Sequence, residues 1–198
     1  MRLPTALTTL LLSASGMPYA QGMLFWNRAK PTPSLPPAPK LPDRPGKPRF
    51  GTALWAGPTP SKLLDALASQ DDLCALTEWQ FDEVVAALFR RLGATKVKVQ
   101  ASTDGDAGID ISMLFEGQPT GLQCLHLSAK HQTTLDTVKW FAANLASTGS
   151  RAGYFLTTGR LPYEAKAILA DSATPIYLLD GDSIWTLIVN SRANAQPS

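Results

Sequence analysis

Proline is concentrated in one part of this 198-residue chain, and that concentration limits where an ordered fold can form. Ten of the sixteen prolines lie in residues 31–60, which begin "PTPSLPPAPKLPDRPGKP". Proline fixes its own φ and has no backbone N–H, so the quoted stretch cannot build helices or the ladders of a sheet. We therefore expect an extended, semi-rigid spacer, although such a composition is also typical of ligands for aromatic-lined grooves.

The segment before the spacer, residues 3–26, carries no charge and leans apolar. Three interpretations fit it: a signal peptide, a membrane-spanning helix, or an unstructured start. Basic residues are more numerous after this segment than before it, where Arg2 stands alone. If the segment is an anchor, the positive-inside rule leaves the rest of the chain in the cytoplasm, on the inner face of the membrane.

Charge is distributed unevenly along the chain. Residues 1–62 contain eight Lys and Arg and one acid, Asp43, whereas residues 76–190 contain nine Lys and Arg and twelve acids. This asymmetry indicates a basic tail with its own partner, a membrane surface or nucleic acid, unless the basic residues only keep the linker in solution. The two cysteines, Cys74 and Cys124, show no metal-site or disulfide spacing, and Cys124 reads as a small hydrophobe within a strand.

From Leu76 onwards the pattern is that of a folded domain. Apolar residues recur at helical spacing in "FDEVVAALFRRLG", with a Thr77–Gln80 capping box before them and Gly93 as a C-cap. In "IDISMLF" the strand pattern predicts Ile109 on the same face as Ile111, and Asp110 on the opposite face. The whole order is α-β-β-β-α-β-α-β-α, which predicts an α/β fold with a mixed central sheet flanked by helices.

These observations divide the chain into four predicted parts. They are an apolar segment at 1–30, a proline-rich basic linker at 31–62, a folded domain at 63–190 and a disordered tail at 191–198.

Five stretches between about Leu76 and Val189 occur together in a recognisable order: "FDEVVAALFRRLGA", "DGDAGIDI", "LQC", "AGYFLTTGRL" and "IYLLDGDSIWTLI". They give the domain a resemblance to the Mrr-like family of type IV restriction endonucleases, within the group of nucleases named for a PD-(D/E)xK signature. The resemblance implies a restriction-endonuclease-like fold and a DNA partner, and it leaves the oligomeric state open, with a homodimer as one option.

The resemblance also implies a metal site made of Asp110, Gln123 and Asp82, with Glu83 as the fallback for the helix acid. Phosphodiester hydrolysis uses a divalent ion, and Mg²⁺, or Mn²⁺ in its place, prefers the hard oxygen ligands that such residues offer. Asp110 is also explained as an ordinary turn residue after "DGDAG", and Gln123 as a core amide whose hydrogen bonds are satisfied.

One residue departs from the family pattern. The Q-x-K variant of the motif has lysine two positions after the glutamine, and this chain has Leu125 there. Residues two apart on a strand share a face, so a leucine stands where an ammonium would support the transition state. The sequence therefore predicts that cleavage is impaired, unless Lys98, His126 or Lys130 supplies the cation.

Three functions fit these observations: an Mrr-type metal-dependent DNA endonuclease, a nuclease-fold DNA-binding or regulatory module that has lost cleavage, and a membrane-tethered interaction protein. Leu125 and the acidic balance of the domain favour the second function over the first. Trp79, Trp140 and Trp185 are interpreted as packing residues and not as platforms for bases.

Overall fold

A computed structural model describes residues 57–100, 108–127 and 131–193 of the chain. The apolar segment at 3–26 and most of the linker predicted at 31–62 lie outside these ranges, as do Asp104, Asp106 and Lys130. In the part of the chain that the structure describes, every helix is too short or too polar to cross a membrane.

Three helices precede the sheet: α1 (Pro60–Ala66), α2 (Gln70–Ala75) and α3 (Glu78–Arg91). The predicted capping box is confirmed, because Thr77 and Gln80 exchange side-chain and backbone hydrogen bonds at the start of α3. At the other end Gly93 has φ +94°, the left-handed conformation that suits glycine just past a helix. The chain after it is thereby free to turn into the first strand.

The remaining elements alternate between strands and helices. They are β1 (Thr95–Val99), β2 (Ile111–Phe115), β3 (Gln118–Leu125), α4 (Leu135–Ser147), β4 (Ala152–Thr157), α5 (Tyr163–Ala170), β5 (Ile176–Leu179) and α6 (Gly181–Ala193). The predicted order is therefore present from α3 to α6, and α1 and α2 are two short helices that the sequence pattern did not predict.

The five strands form one sheet in the order β1-β2-β3-β4-β5. The pairs β1–β2 and β2–β3 are antiparallel, whereas β3–β4 and β4–β5 are parallel. Parallel neighbours need a crossover, which α4 supplies between β3 and β4, and α5 between β4 and β5. The predicted fold class, a mixed sheet flanked by helices, is confirmed.

Two separate cores cover the two faces of this sheet. The first core joins α1, α2, α3 and α6 to one face, and it includes Phe81, Ile111, Leu122 and Cys124. The second core joins α4 and α5 to the opposite face, and it includes Ile109, Leu125, Phe141 and Phe155. Strand β3 contributes buried side chains to both, which explains its long apolar run.

Candidate metal centre

Asp110 lies just before β2, at an irregularity in the pairing with β3. Its backbone N–H donates to the Leu122 carbonyl over 2.8 Å, although Leu122 is the cross-strand partner of Ile111. Asp110 and Ile111 therefore both lie opposite Leu122, which is the geometry of a β-bulge. Bulges redirect side chains, and this one places Ile109 in the second core and Ile111 in the first.

The prediction that Ile109 and Ile111 share a face, with Asp110 opposite, is therefore wrong. The alternation predicted for the strand holds from Ile111 onwards, where Ile111, Met113 and Phe115 are buried on the first core. It fails at Asp110, because a bulge inserts one residue and shifts the period of two. The shift brings the Asp110 carboxylate towards the α3 side of the sheet.

Hydrogen bonds from β3 hold the Asp110 carboxylate in place. Its Oδ2 accepts a hydrogen bond of 2.7 Å from the backbone N–H of Cys124 and one of 2.5 Å from the Gln123 side-chain nitrogen. The residue is only 6% exposed, so these bonds replace most of its contact with water. Bonds to an ionised carboxylate are stronger than neutral ones, and they orient the remaining oxygen lone pairs.

Three donor groups converge at this point: the carboxylates of Asp82 and Asp110 and the thiol of Cys124. One donor atom from each lies within 4.8 Å of the other two, and all three residues are buried. Asp82 comes from α3, where its neighbours Phe81 and Val84 are fully buried in the first core. A helix acid and a strand acid far apart in sequence are thus brought together on one face of the sheet.

Glu83, the fallback for the helix acid, is not part of this group. It is half-buried, and burial raises the pKa of its carboxyl group, with a smaller opposing effect from Arg90. Successive residues of a helix point about 100° apart, so only one of the two acids can face the sheet at this height. The structure places Asp82 there.

Gln123 lies on the opposite face of β3 from Cys124, but its amide reaches the same carboxylate. The side chain is 1% exposed, and its Oε1 has no hydrogen-bond partner among the described residues. A rotation of the amide by 180° exchanges oxygen and nitrogen. That rotation would set Oε1 against the Asp110 carboxylate, an arrangement that a cation between them would stabilise.

The approach to Gln123 is shaped by Gly108 and Trp140. A Cβ atom on Gly108 would lie 1.8 Å from the Trp140 ring and 2.8 Å from the Gln123 Oε1. Gly108 also has φ +67°, so two independent constraints require glycine here. Trp140 is half-buried against this loop, in agreement with its interpretation as a packing residue.

Leu125 is 6% exposed and lies in the second core with Ile109, Val138 and Phe155. The position that holds lysine in the Q-x-K pattern is therefore surrounded by apolar side chains in this protein. Leucine offers no donor and no charge, so nothing at this position can stabilise an oxyanion.

Of the three other cations that were candidates for the lysine role, the structure describes two. Lys98 is exposed and pairs with Ser112 in the sheet. His126 shares a strand face with Cys124, and its Nε2 lies 3.2 Å from the Leu73 carbonyl oxygen, while its ring centroid lies 5.2 Å from that of Phe81. These contacts tie β3 to α2 and α3 and explain His126 as a structural side chain.

Sequence reasoning missed Cys124 as a member of the group, because a cysteine inside an apolar strand is ordinarily a small hydrophobe. A weak signal was available: strand parity places Cys124 on the face opposite Gln123. Nothing in the sequence, however, showed that Asp82 would lie on that same face.

Comparison with known proteins agrees with this architecture. The family model Mrr_cat, described as a restriction endonuclease, matches residues 73–188. The chain therefore belongs to the Mrr catalytic-domain family of restriction endonucleases.

Two solved structures resemble the chain. The DNA modification-dependent restriction endonuclease AspBHI has 16% sequence identity and a TM-score of 0.49, with 69% of this chain and 39% of that chain covered. MspJI restriction endonuclease in complex with a 27-mer oligonucleotide has 22% identity and a TM-score of 0.41, with 69% and 30% covered. This chain thus corresponds to less than half the length of either. A search of curated proteins found no match.

Proposed function

We propose that this protein is a metal-dependent DNA endonuclease in which Asp82 and Asp110 bind the ion, with Gln123 as a further ligand. The observation that carries the proposal is the buried convergence of Asp82, Asp110 and Cys124, with donor atoms within 4.8 Å of one another. Family membership supports DNA as the substrate class.

The residues present fit a divalent ion. Two carboxylates supply negative charge. The Gln123 Oε1, which is buried and has no hydrogen-bond partner among the described residues, would supply a neutral oxygen once the amide rotates and gives up the hydrogen bond from its nitrogen to Asp110. Mg²⁺ or Mn²⁺ is the ion that carboxylate and amide oxygens favour. Such an ion, when bound, polarises a phosphate oxygen and lowers the pKa of a water molecule.

The protein's own contribution is to hold these ligands before substrate arrives. The Cys124 backbone N–H fixes one oxygen of Asp110 whichever way the Gln123 amide is turned, and α3 presents Asp82 on the same side of the sheet. Ligands that are already oriented lose little entropy on binding. The proposed site lacks a group that stabilises the transition state at position 125, because Leu125 supplies no cation for the charge that develops on the phosphate. We therefore expect slow cleavage.

The basic segment at 1–62 supports a role in attracting DNA. Its excess of seven positive charges contrasts with a folded part that carries more acids than bases. Phosphate attraction of this kind is independent of sequence and weakens as salt rises. The cytoplasmic location, the membrane contact through residues 3–26 and assembly as a homodimer remain proposals from the sequence.

A second candidate function is a DNA-binding module of the same fold that has lost cleavage. The specific observation in its favour is that Leu125 is built into the second core, so the lysine position is adapted to packing. In this alternative Asp82, Asp110 and Cys124 would remain as a structural group.

The test is to incubate the full-length protein with supercoiled plasmid and Mg²⁺ or Mn²⁺, and to compare Asp110→Asn with Asp136→Asn. Asparagine keeps the shape of the aspartate side chain but not its charge, and Asp136 is an exposed acid on α4 that serves as control. We expect nicking by the unmodified protein and by Asp136→Asn. Asp110→Asn should be slower by more than about 100-fold, beyond the loss typical of outer-shell partners.

The outcomes separate the two candidates. Equal nicking by Asp110→Asn and the unmodified protein would contradict the proposed site. DNA binding at low salt without cleavage by any of the three proteins would support the module that has lost cleavage. Absence of binding at low salt would exclude both.

A further inference from the structure

We infer that the metal centre is a mixed carboxylate–thiolate site, in which Cys124 selects a borderline-soft divalent ion such as Zn²⁺ or Co²⁺ over Mg²⁺. The inference rests on the proposed metal site and specifies which ions that site takes. It comes from the donor set: one of the three converging atoms is a sulfur.

The first argument is distance. Zinc binds thiolate sulfur at about 2.3 Å and carboxylate oxygen at about 2.0–2.2 Å, so ligand atoms around a tetrahedral ion lie about 3.6 Å apart. The three donor atoms here lie within 4.8 Å of one another without any rearrangement. Closing on an ion therefore requires changes of about 1 Å, within the range of side-chain rotation.

The second argument is ligand preference. Mg²⁺ requires octahedral oxygen coordination and usually retains several water molecules. Thiolates are soft ligands that favour zinc and similar ions, and affinity for a given site rises from Mn²⁺ through Co²⁺ towards the later metals. A sulfur within 4.8 Å of both carboxylates takes a position where Mg²⁺ would use an oxygen, and it gives the softer ions a bond that Mg²⁺ lacks.

The third argument is burial. Cys124 is 0% exposed, Asp82 2% and Asp110 6%, so all three donors are largely shielded from bulk water. An ion held here must exchange water for protein ligands. That exchange is less costly for Zn²⁺ or Co²⁺ with a thiolate ligand than for Mg²⁺, which dehydrates reluctantly.

The Gln123 amide offers a further oxygen donor that could turn towards this point. The Gln123 Oε1 is buried and has no hydrogen-bond partner among the described residues, while the nitrogen of the same amide lies 2.5 Å from Asp110. An unsatisfied buried amide oxygen is costly. When the amide is rotated, that oxygen borders the carboxylate and becomes a fourth donor for the ion.

The test uses Co²⁺ as the probe, because thiolate coordination gives it a charge-transfer absorption that oxygen ligands do not. Full-length protein is stripped with a chelator and titrated with Co²⁺, and bound Co²⁺ is then displaced with Zn²⁺ or Mg²⁺. The chain has only two cysteines, so Cys74→Ser is the matched control for Cys124→Ser. Cys74 is half-buried on α2, outside the group.

We expect the charge-transfer band in the unmodified protein and in Cys74→Ser, and its loss in Cys124→Ser. Zn²⁺ should displace Co²⁺ at concentrations at least about 100-fold below those of Mg²⁺. Persistence of the band in Cys74→Ser assigns the sulfur to Cys124 even if Cys124→Ser does not fold.

Two results would overturn the inference: no charge-transfer band in the unmodified protein, or displacement by Mg²⁺ as readily as by Zn²⁺. Failure of the inference differs visibly from failure of the proposed function. Plasmid nicking with Mg²⁺ and no band would leave the endonuclease in place with an all-oxygen site. A band without nicking by any metal would leave the thiolate site in place and remove the endonuclease.

Discussion

The adjacent residues Cys124 and Leu125 lie on opposite faces of strand β3, and the two faces differ in the side chains that surround them. On the α3 side, Cys124 meets the two aspartates within an otherwise apolar core. On the α4 side, Leu125 belongs to a core of apolar side chains. A polar group is therefore built into one layer of this domain, and the neighbouring layer is closed to charge at the position where the family pattern has lysine.

This difference changes the meaning of the missing lysine. Seen in the sequence, Leu125 stands where the family pattern has lysine, and the prediction is that cleavage is impaired. In the structure it is a core residue whose neighbours pack against it. Restoring the charge therefore also disrupts a core, and the two effects can be separated by experiment.

The largest effect is expected for Leu125→Lys. An ammonium placed in the second core either loses its hydration or displaces neighbouring side chains to reach solvent. Because both are costly, we expect a loss of about 3–4 kcal/mol in the free energy of unfolding. Urea denaturation measures it, with Leu125→Met as the control, which should cost less than about 1.5 kcal/mol. Unchanged stability together with faster plasmid nicking would contradict this view. It would show that the second core accepts a charged side chain at position 125 and that this charge acts at the site.

A smaller effect is expected for Gly108→Ala, at the point where the two layers meet. The new methyl group would collide with the Trp140 ring and press on Gln123, and φ +67° adds backbone strain. We expect a loss of about 2–3 kcal/mol and weaker Co²⁺ binding. Gly117→Ala is the matched control, since Gly117 has φ +75° with nothing within 4 Å of its Cβ position, so it reports the strain alone. Equal losses in both variants would show that Trp140 moves freely.

The smallest effect on stability is expected for an ion pair between the helices of the first core. Asp65 of α1 forms this 2.7 Å ion pair with Arg91 of α3. The Arg91 hydrogen bond lowers the pKa of Asp65, and burial opposes this shift. The folded state therefore binds fewer protons than the unfolded state, so the pair stabilises above the unfolded pKa of about 3.9. That stabilisation is lost as pH falls through the lower folded value.

We expect less than about 0.5 kcal/mol from this pair at neutral pH, because the Asp65 side chain is 55% exposed. A double-mutant cycle of Asp65→Asn and Arg91→Gln, measured by urea denaturation at pH 7 and again near pH 3, gives the coupling. Coupling should be smaller at the lower pH, because part of the Asp65 population is then protonated. Coupling above about 1 kcal/mol, or equal coupling at both pH values, would contradict this assignment.

Much of the fold was predictable because its signals are local. The Thr77–Gln80 capping box and the helical spacing after it predict α3, and alternation predicts β2 from Ile111 onwards. The two short helices α1 and α2 were missed, because six or seven residues give too few turns for a periodic pattern. Asp82, Asp110 and Gln123 were named through the family resemblance; the structure brings them together, and their roles remain proposals.

The sequence by itself determined which residues are available: two aspartates, a glutamine, a cysteine and a leucine in place of lysine. It also led us to expect an extended spacer in the proline-rich segment, of which the structure describes only the end, where Pro60 begins α1. Only the tertiary structure decided that Cys124 joins the aspartates and that Leu125 is enclosed by the second core. The physical reason is the bulge at Asp110: the face on which a side chain lies depends on pairing with a distant strand, and a period of two in the sequence does not record it.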